Sequence, residues 1–387
     1  MCLTLAGLMF FGFSLTSMAE EAKPEPAKPE AVKVAEPAKA AMTVDQLKEM
    51  LGLSIYLQGG YTYNFWNPNP SENALRLFDH KANSFTLDLA QIQFMRDAPV
   101  GGIGYKLKVS MGETAKYIHS RGLGIKDGQA PADTEPFDLT EAYMQYNAPL
   151  GRGLKFTFGK FATYIGAEVI EARDNPNYSR SLLFNYAYPL FTHTGLSVGY
   201  SFSDALTTTF YLTNGWDNVD DNNTGKTLGL SIGWTPIEQL AMSFNFSYGP
   251  EQNNNNSNIR FLFDWVGTIK PLKNLSFILN ADYGSEQKDP NANGIDSLWY
   301  GAAAIVKYDF NDFFSLALRG EYFNDQDGAK TGTVQKVKEF TLTPEFRLAK
   351  GLIIRPELRY DWSDQSSFNG GKDKNQVTLA LGVMYTW

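Results

Sequence analysis

The sequence predicts an all-β fold: a transmembrane, antiparallel, up-and-down β-barrel of about 16 strands, with an inward-folded loop after strand 5. Three observations carry this expectation. From Ile55 onward apolar and polar residues alternate with period two, which places successive side chains on opposite faces of a sheet. The connections between these segments are short and long by turns. The composition is polar yet aromatic, with a mean hydropathy of −0.29, 20 Tyr and 27 Phe. Such a balance suits a wall that meets lipid on one face and water on the other.

The amino-terminal part stands outside the pattern. Residues 1–19 read as a signal peptide: an apolar run from Leu3 to Leu15 precedes Ser17-Met18-Ala19, whose small residues stand where a signal peptidase cleaves, although no charged stretch precedes the run. Residues 20–41 are almost wholly Ala, Pro, Glu and Lys, a composition with nothing to bury, and are expected to be a disordered periplasmic tether. Residues 42–53 hold one short helix, with Thr43 as N-cap, Gln46 completing a capping box and Val44, Leu47 and Leu51 on one face. This helix is expected to link to the barrel or to plug its mouth. Residues 54–387 are the barrel. Beyond the leader no uncharged apolar run reaches about 18 residues, the length a membrane-crossing helix needs.

The last segment shows the alternation most clearly. Val377, Leu379, Leu381, Val383, Tyr385 and Trp387 interleave with Gln376, Thr378, Ala380, Gly382, Met384 and Thr386. Leu275 to Tyr283, Met242 to Tyr248 and Leu196 to Phe202 repeat it and mostly end in an aromatic, as the ring girdles at a membrane boundary require. Tight turns are expected at Ala148-Pro149-Leu150-Gly151, Ser203-Asp204, Pro236-Ile237-Glu238, Pro271-Leu272-Lys273, Asn311-Asp312 and Ala349-Lys350-Gly351. Polar loops alternate with them. An even strand count leaves both chain ends on the periplasmic side, and about 16 strands enclose an aqueous channel rather than a packed core. Two places break the phase, Phe85 to Phe94 near Ala90-Gln91 and Lys160 on strand 5, so a bulge or a snorkelling lysine is expected there.

The connection after strand 5, residues 167–192, is the longest and mixes Glu168, Glu171, Arg173, Asp174 and Arg180 with the apolar Leu182-Leu183-Phe184. A loop carrying apolar side chains must bury them, and inside a wide barrel the inner wall offers the place. It would then narrow the pore with its charged heads; the alternative is packing at the outer rim with the charges solvated. Inward-facing charges alternate on strands 13 to 15, namely Arg319, Glu321, Glu345, Arg347, Arg355, Glu357, Arg359 and Asp361, and Lys106 and Lys108 follow the same phase on strand 3. Facing lipid, each would cost about 2–4 kcal/mol near the midplane. Loop carboxylates facing the arginines across the lumen would set up a transverse field; the alternative, compatible with it, is that wall charges pair with one another across strands and stiffen the wall.

Signatures of enzymatic chemistry are missing. His80, His119 and His193 are scattered in or beside expected loops and read as solvated, Ser120 follows His119 too directly for a proton relay, and no GxSxG, HExxH or phosphate loop occurs. Asp217 to Asn223 and Gln252 to Asn256 lack the spacing of a calcium loop, so no metal or other cofactor is expected. The one cysteine, Cys2, lies in the leader, and the net charge of −8 opposes a nucleic-acid partner.

The stretch Asp174-Asn175-Pro176-Asn177-Tyr178-Ser179-Arg180-Ser181-Leu182-Leu183-Phe184, followed by Tyr186-Ala187-Tyr188-Pro189 and His193-Thr194-Gly195, resembles the putative β-barrel porin-2 family of OmpL-like barrels. So do Thr213-Asn214-Gly215-Trp216 and Pro356-Glu357-Leu358-Arg359-Tyr360-Asp361. The resemblance spans nearly all of the chain from Ile55 and implies an outer-membrane channel. Tyr385 and Trp387 resemble the terminal aromatic signal read by the barrel-assembly machinery, where phenylalanine is the commoner last residue. The expected function is therefore non-enzymatic: a water-filled pore in a Gram-negative outer membrane passing small hydrophilic solutes or ions, surrounded by lipid and, by analogy, a homotrimer. A sugar-specific porin and a plugged structural or adhesive barrel with binding loops are the alternatives.

Overall fold

The computed structural model describes residues 42–125 and 134–387; the leader and tether read from residues 1–41 lie outside them. The barrel strands are β1 (Leu53–Asn64), β2 (Ser84–Arg96), β3 (Ile103–Met111), β4 (Phe137–Ala148), β5 (Leu154–Ala162), β6 (Thr192–Ser201), β7 (Leu206–Thr213) and β8 (Thr227–Ile237). They continue as β9 (Leu240–Pro250), β10 (Ile259–Leu272), β11 (Leu275–Asp289), β12 (Ile295–Asp309), β13 (Phe314–Asp325), β14 (Gln335–Ala349), β15 (Leu352–Ser363) and β16 (Asn375–Thr386). Each pairs with its sequence neighbours, and β16 closes on β1, so the sixteen form one closed antiparallel barrel. Closure removes the unpaired backbone edge that hydrocarbon would penalise. No helix among the described residues is long and apolar enough to cross a membrane.

The period-two reading holds along the wall. On β15 Arg355, Glu357, Arg359 and Asp361 are buried inward, whereas Leu358 and Tyr360 are exposed outward; on β16 Thr378 and Ala380 alternate with the exposed Leu379 and Leu381. The tight turns lie at one rim and the long connections at the other, as expected. The strands run further than the sequence suggests, because Pro236, Ile237, Pro271 and Leu272 belong to strand ends and β11 reaches Asp289 before a short turn.

Both phase breaks have physical causes. Between β1 and β2 the register shifts where Gln58 faces Leu89 and Gly59 faces Leu87, leaving Asp88 as an extra residue two positions before the expected place. Asp88 turns inward and accepts from Gln58 Nε2 at 3.0 Å. A second bulge places Thr140 between Leu139 and Glu141 opposite Val109 and Lys108. Lys160 does occupy the outward register, opposite Ala142, yet it is 4% exposed. Its ammonium donates to the Leu139 carbonyl at 2.9 Å and lies 3.6 Å from Asp138, so it is anchored by protein rather than by water.

Helix α1 (Val44–Leu51) begins one residue after Thr43, as the capping pattern predicts. It does not enter the mouth. The carbonyls of Met50 and Leu51 accept from Arg96 Nη2 and the Tyr105 hydroxyl, at 3.2 and 3.3 Å, and Lys48 stands 4.0 Å over the Trp387 ring. All three partners occupy the outward register of the turn rim. Replacing Leu342, the outward midpoint of β14, by Arg should cost about 2–4 kcal/mol; urea unfolding followed by heat-modifiable electrophoretic mobility measures it.

Candidate functional site

The connection between β5 and β6, residues 163–191, contains more apolar side chains than a solvated loop can carry. Leu182 and Leu183 are both 0% exposed and pack with Phe184, Leu190 and Phe191. Phe78, from the connection between β1 and β2, joins them with its ring 5.7 Å from Phe184 and 5.9 Å from Phe191. Burying each such side chain is worth about 1.5–3 kcal/mol. This cluster rests on inward wall positions. Tyr178 lies over Gly60 and Gly382, which face one another across the β1–β16 seam, and a Cβ on either glycine would come within 2.0 and 2.3 Å of the tyrosine. Leu183 sits in a similar notch at Gly301. The space inside the barrel is thus partly filled, because two connections share one apolar cluster there.

Wall charges hold the backbone of this segment. Glu357 accepts from the amides of Tyr178 and Ser179 at 2.7 and 3.0 Å, and Glu321 from that of Leu182 at 2.6 Å. Arg319 donates to Glu168 at 2.9 Å and to the Ser179 carbonyl at 2.8 Å; Arg355 reaches the Ala172 carbonyl at 2.5 Å and Arg359 the Arg180 carbonyl at 2.6 Å. The same arginines pair within the wall, Arg319 with Glu339 at 3.0 Å and with Glu321 at 2.8 Å, Arg359 with Asp361 at 2.8 Å, and Arg355 with Glu345 at 2.5 Å. Arg347, nearer the turn rim and half-buried, joins Glu345 at 2.7 Å and Asp309 at 2.8 Å.

The five charged loop residues therefore do not act as a set. Glu168 meets Arg319 directly. Glu171 turns to the opposite wall, where Lys108 and Gln91 donate to it at 2.8 Å each, and Glu141 forms ion pairs with Lys106 and Lys108 at 2.8 and 2.7 Å. Arg173 pairs with Asp174 at 3.1 Å, donates to Thr386 at 3.1 Å and stacks 4.5 Å over the Tyr56 ring. Arg180 makes no ion pair among the described residues: it donates to the carbonyls of Val169, Tyr178 and Ile170 and lies against Phe78 and Phe184. Carboxylates confronting arginines across an open gap give way to carboxylates bonded to them, since an uncompensated charge in so crowded a lumen would be costly.

Sequence reasoning missed Arg76. Together with Asp79 and Phe78 it belongs to the connection between β1 and β2, enters the lumen and donates to Asp361 at 2.8 Å and Thr378 at 2.9 Å. Its signal, one basic residue in an ordinary polar loop, was too weak to find. The histidines are not solvated. His119 contacts Asp138 at 3.2 Å and the Glu135 carbonyl at 2.7 Å, His193 is 1% exposed beside Tyr164, and His80 contacts Glu113 at 3.2 Å. Ser120 bonds Thr192 rather than a histidine. Tyr385 and Trp387 stand outward at the turn rim, both partly exposed.

Between the segment and the wall of β2 to β4 a cavity of about 490 Å³ remains, bordered by Lys106, Lys108 and Glu141 on one side and by Val169, Glu171 and Arg173 on the other. At the loop rim, Asp217 ties down the end of the segment by accepting from the amides of Phe191 and Thr192, at 3.1 and 2.8 Å. Burial pushes its carboxyl up from 3.8 to about 7 against those hydrogen bonds. Burial likewise raises Glu251, which accepts from the Trp216 amide at 2.8 Å, from 4.5 to about 7, with Arg260 opposing.

A family model described as putative beta-barrel porin-2, OmpL-like, matches residues 50–387. A search of curated proteins finds no match. Among solved structures, OmpF of Salmonella typhi in complex with daunomycin is similar at 11% identity and TM-score 0.59, covering 87% of this chain and 97% of that one. The anion-selective porin of Comamonas acidovorans gives 9% identity and TM-score 0.58, covering 87% and 98%. Pseudomonas putida OprB gives 13% and 0.57, covering 89% and 96%. At these identities the likeness is one of fold.

Two outcomes are expected. Arg319→Gln leaves Glu168 and Glu339 short of a buried partner and should destabilise by about 3–5 kcal/mol, read as a lower urea midpoint and faster proteolysis within 163–191. The folded chain keeps protons on Asp217 and Glu251 up to pH about 7, whereas the unfolded chain releases them near the unshifted values of 3.8 and 4.5. The folded state binds more protons in that window, so stability falls as pH rises from about 4 to 7 and levels off above. Unfolding midpoints across this range should flatten in the Asp217→Asn, Glu251→Gln double variant.

Proposed function

From membership of the putative beta-barrel porin-2, OmpL-like family, to which the chain belongs, we infer that this channel-forming porin of the outer membrane passes small hydrophilic solutes by diffusion through a lumen narrowed by residues 163–191. The observation that carries the reading is the seating of that segment on inward side chains. Glu168 on Arg319, Glu171 on Lys108 and the Tyr178 ring on the Gly60–Gly382 pair tie it to three parts of the wall. A segment tied at several points holds a fixed aperture, and the 490 Å³ cavity beside it is bordered by ionisable groups. No cofactor enters this function and no chemistry is performed on the solute. His119, His193 and Ser120, the residues nearest to a relay, are engaged in loop packing.

Residues 1–19 are the export signal in this reading, 20–41 a periplasmic tether, and the terminal Tyr385 and Trp387 the signal for barrel assembly. A homotrimer fits the fold class, and one similar solved structure, the outer membrane protein OmpT of Vibrio cholerae, is described in a trimer form. Native electrophoresis of the detergent-extracted protein with and without cross-linking reads the oligomer.

Purified protein added to planar lipid bilayers should give stepwise ionic current, and liposomes carrying it should swell in small sugars. Complete absence of current and of swelling would sink the diffusion reading and leave a sealed barrel.

A further inference from the structure

One cation of the inner wall stands apart from the rest. Lys155 faces the lumen from the turn-rim end of β5, between Asn147 on β4 and Gly199 on β6, and its outward neighbours Tyr146 and Phe158, 46% and 64% exposed, fix that phase. The other lysines and arginines that face inward from paired strand positions each hold a carboxylate, from Lys106 on Glu141 to Arg260 on Glu286 and Arg355 on Glu345. The half-buried Lys155 has neither an ion pair nor a side-chain hydrogen bond among the described residues. Around it lies a cleft of about 260 Å³ at the turn rim, bordered further by Arg152, Gly153, Ser201, Thr207 and Thr209, and none of the bordering residues is acidic. Asp204 pairs with Arg152 Nη2 from outside the cleft and is itself almost wholly exposed.

The floor of the cleft is built from small groups. Lys155, Gly199 and Thr209 form one row across three strands, and a Cβ on Gly199 would come within 3.1 Å of the Thr209 hydroxyl, so the missing side chain leaves room between the ammonium and that hydroxyl. Ser201 and Thr207 face each other in the next row, and their hydroxyls make no hydrogen bond among the described residues. An ammonium donates to an anion, whereas serine and threonine hydroxyls both donate and accept. Such a set matches an anion that itself carries hydroxyls. Its charge is one unit, because Asp204 already balances Arg152 and a phosphate monoester would bring nearly two. A neutral sugar lacks that charge, and the cleft gives it no ring to stack on, since the bordering Tyr200 lies in the outward register opposite Leu154 and Thr208.

We propose that this cleft is a binding site for hydroxylated monocarboxylates of the sugar-acid type, the carboxylate held by Lys155 and the hydroxyls by Ser201, Thr207 and Thr209. The site lies at the opposite end of β5 from the 163–191 segment, and it rests on the porin reading for access through the lumen. Gluconate is the probe, with sorbitol as hydroxyls without charge and acetate as charge without hydroxyls. Calorimetric titration of the full chain in detergent at low ionic strength and block of bilayer current measure it independently. Gluconate should bind saturably and at least about tenfold more tightly than sorbitol or acetate, and Lys155→Gln should weaken it by about tenfold, whereas Lys155→Arg retains it. The Ser201→Ala, Thr207→Val double variant should bring gluconate down to the level of acetate and leave acetate unchanged. Heat-modifiable mobility checks that each variant is folded. Gluconate bound no more tightly than acetate or sorbitol overturns the site, as does binding unaltered in both Lys155→Gln and the double variant. A barrel that conducts without such binding overturns the site alone; one that binds gluconate but carries no current keeps the site and overturns the porin reading.

Discussion

Everything in this fold depends on the pairing of β1 with β16. A hydrocarbon environment supplies no hydrogen bonds, so the outermost strands of an open sheet would carry unmatched amides and carbonyls at several kcal/mol apiece. Tyr56 to Asn64 meet Thr386 to Thr378 residue for residue, and this seam joins the two ends of the chain. Once the ring is closed, the two faces of every strand are no longer equivalent. One is obliged to be apolar, and the other must accommodate whatever polar chemistry the chain carries.

That obligation explains what the sequence makes legible. Alternation is enforced wherever a strand has lipid on one side, so β13 to β16 could be phased residue by residue from Arg319, Glu345, Arg355 and their apolar neighbours. The long connection after β5 betrayed itself by Leu182-Leu183-Phe184, which no solvated loop would carry. What stayed hidden has local causes. The bulge at Asp88 costs one residue and leaves little trace in a period-two pattern. Arg76 resembles any charged residue of a polar loop until its partner Asp361, far along the chain, is placed beside it. Partner choice was hidden too: residue types grouped Glu168 and Glu171 with Arg173, Asp174 and Arg180 as one charged constriction, but Arg319 and Lys108 draw the two glutamates to opposite walls.

Ion pairs of this kind are weak as a source of net stability, because removing both partners from water costs nearly what their attraction returns. Their contribution is positional. Apolar packing alone would let the 163–191 segment slide along the wall, since Leu, Phe and Tyr contacts have little directional preference. Arg319, Arg355 and Arg359 instead donate to particular carbonyls, and Glu321 and Glu357 accept from particular amides. The amides of Tyr178, Ser179 and Leu182 and the carbonyls of Ala172, Ser179 and Arg180 thereby find partners that strand or helix would otherwise supply. The wall charges serve as a substitute for secondary structure in a stretch whose regular elements are two short helical turns, Ala172–Asp174 and Leu183–Ala187.

This use of charge also accounts for where charge is missing. On β6 to β9 the inward positions include Ser197, Thr209, Ser231, Ser243 and Asn245, and the ionisable side chains in that register are His193 and Tyr211 alone. Those strands receive few anchors from the segment and need none. Small hydroxyl and amide side chains keep that wall polar without long reach and without drawing counter-charges across the lumen. The ionic groups concentrate where a backbone must be held, on β13 to β15, and beside the remaining cavity, on β3 and β4.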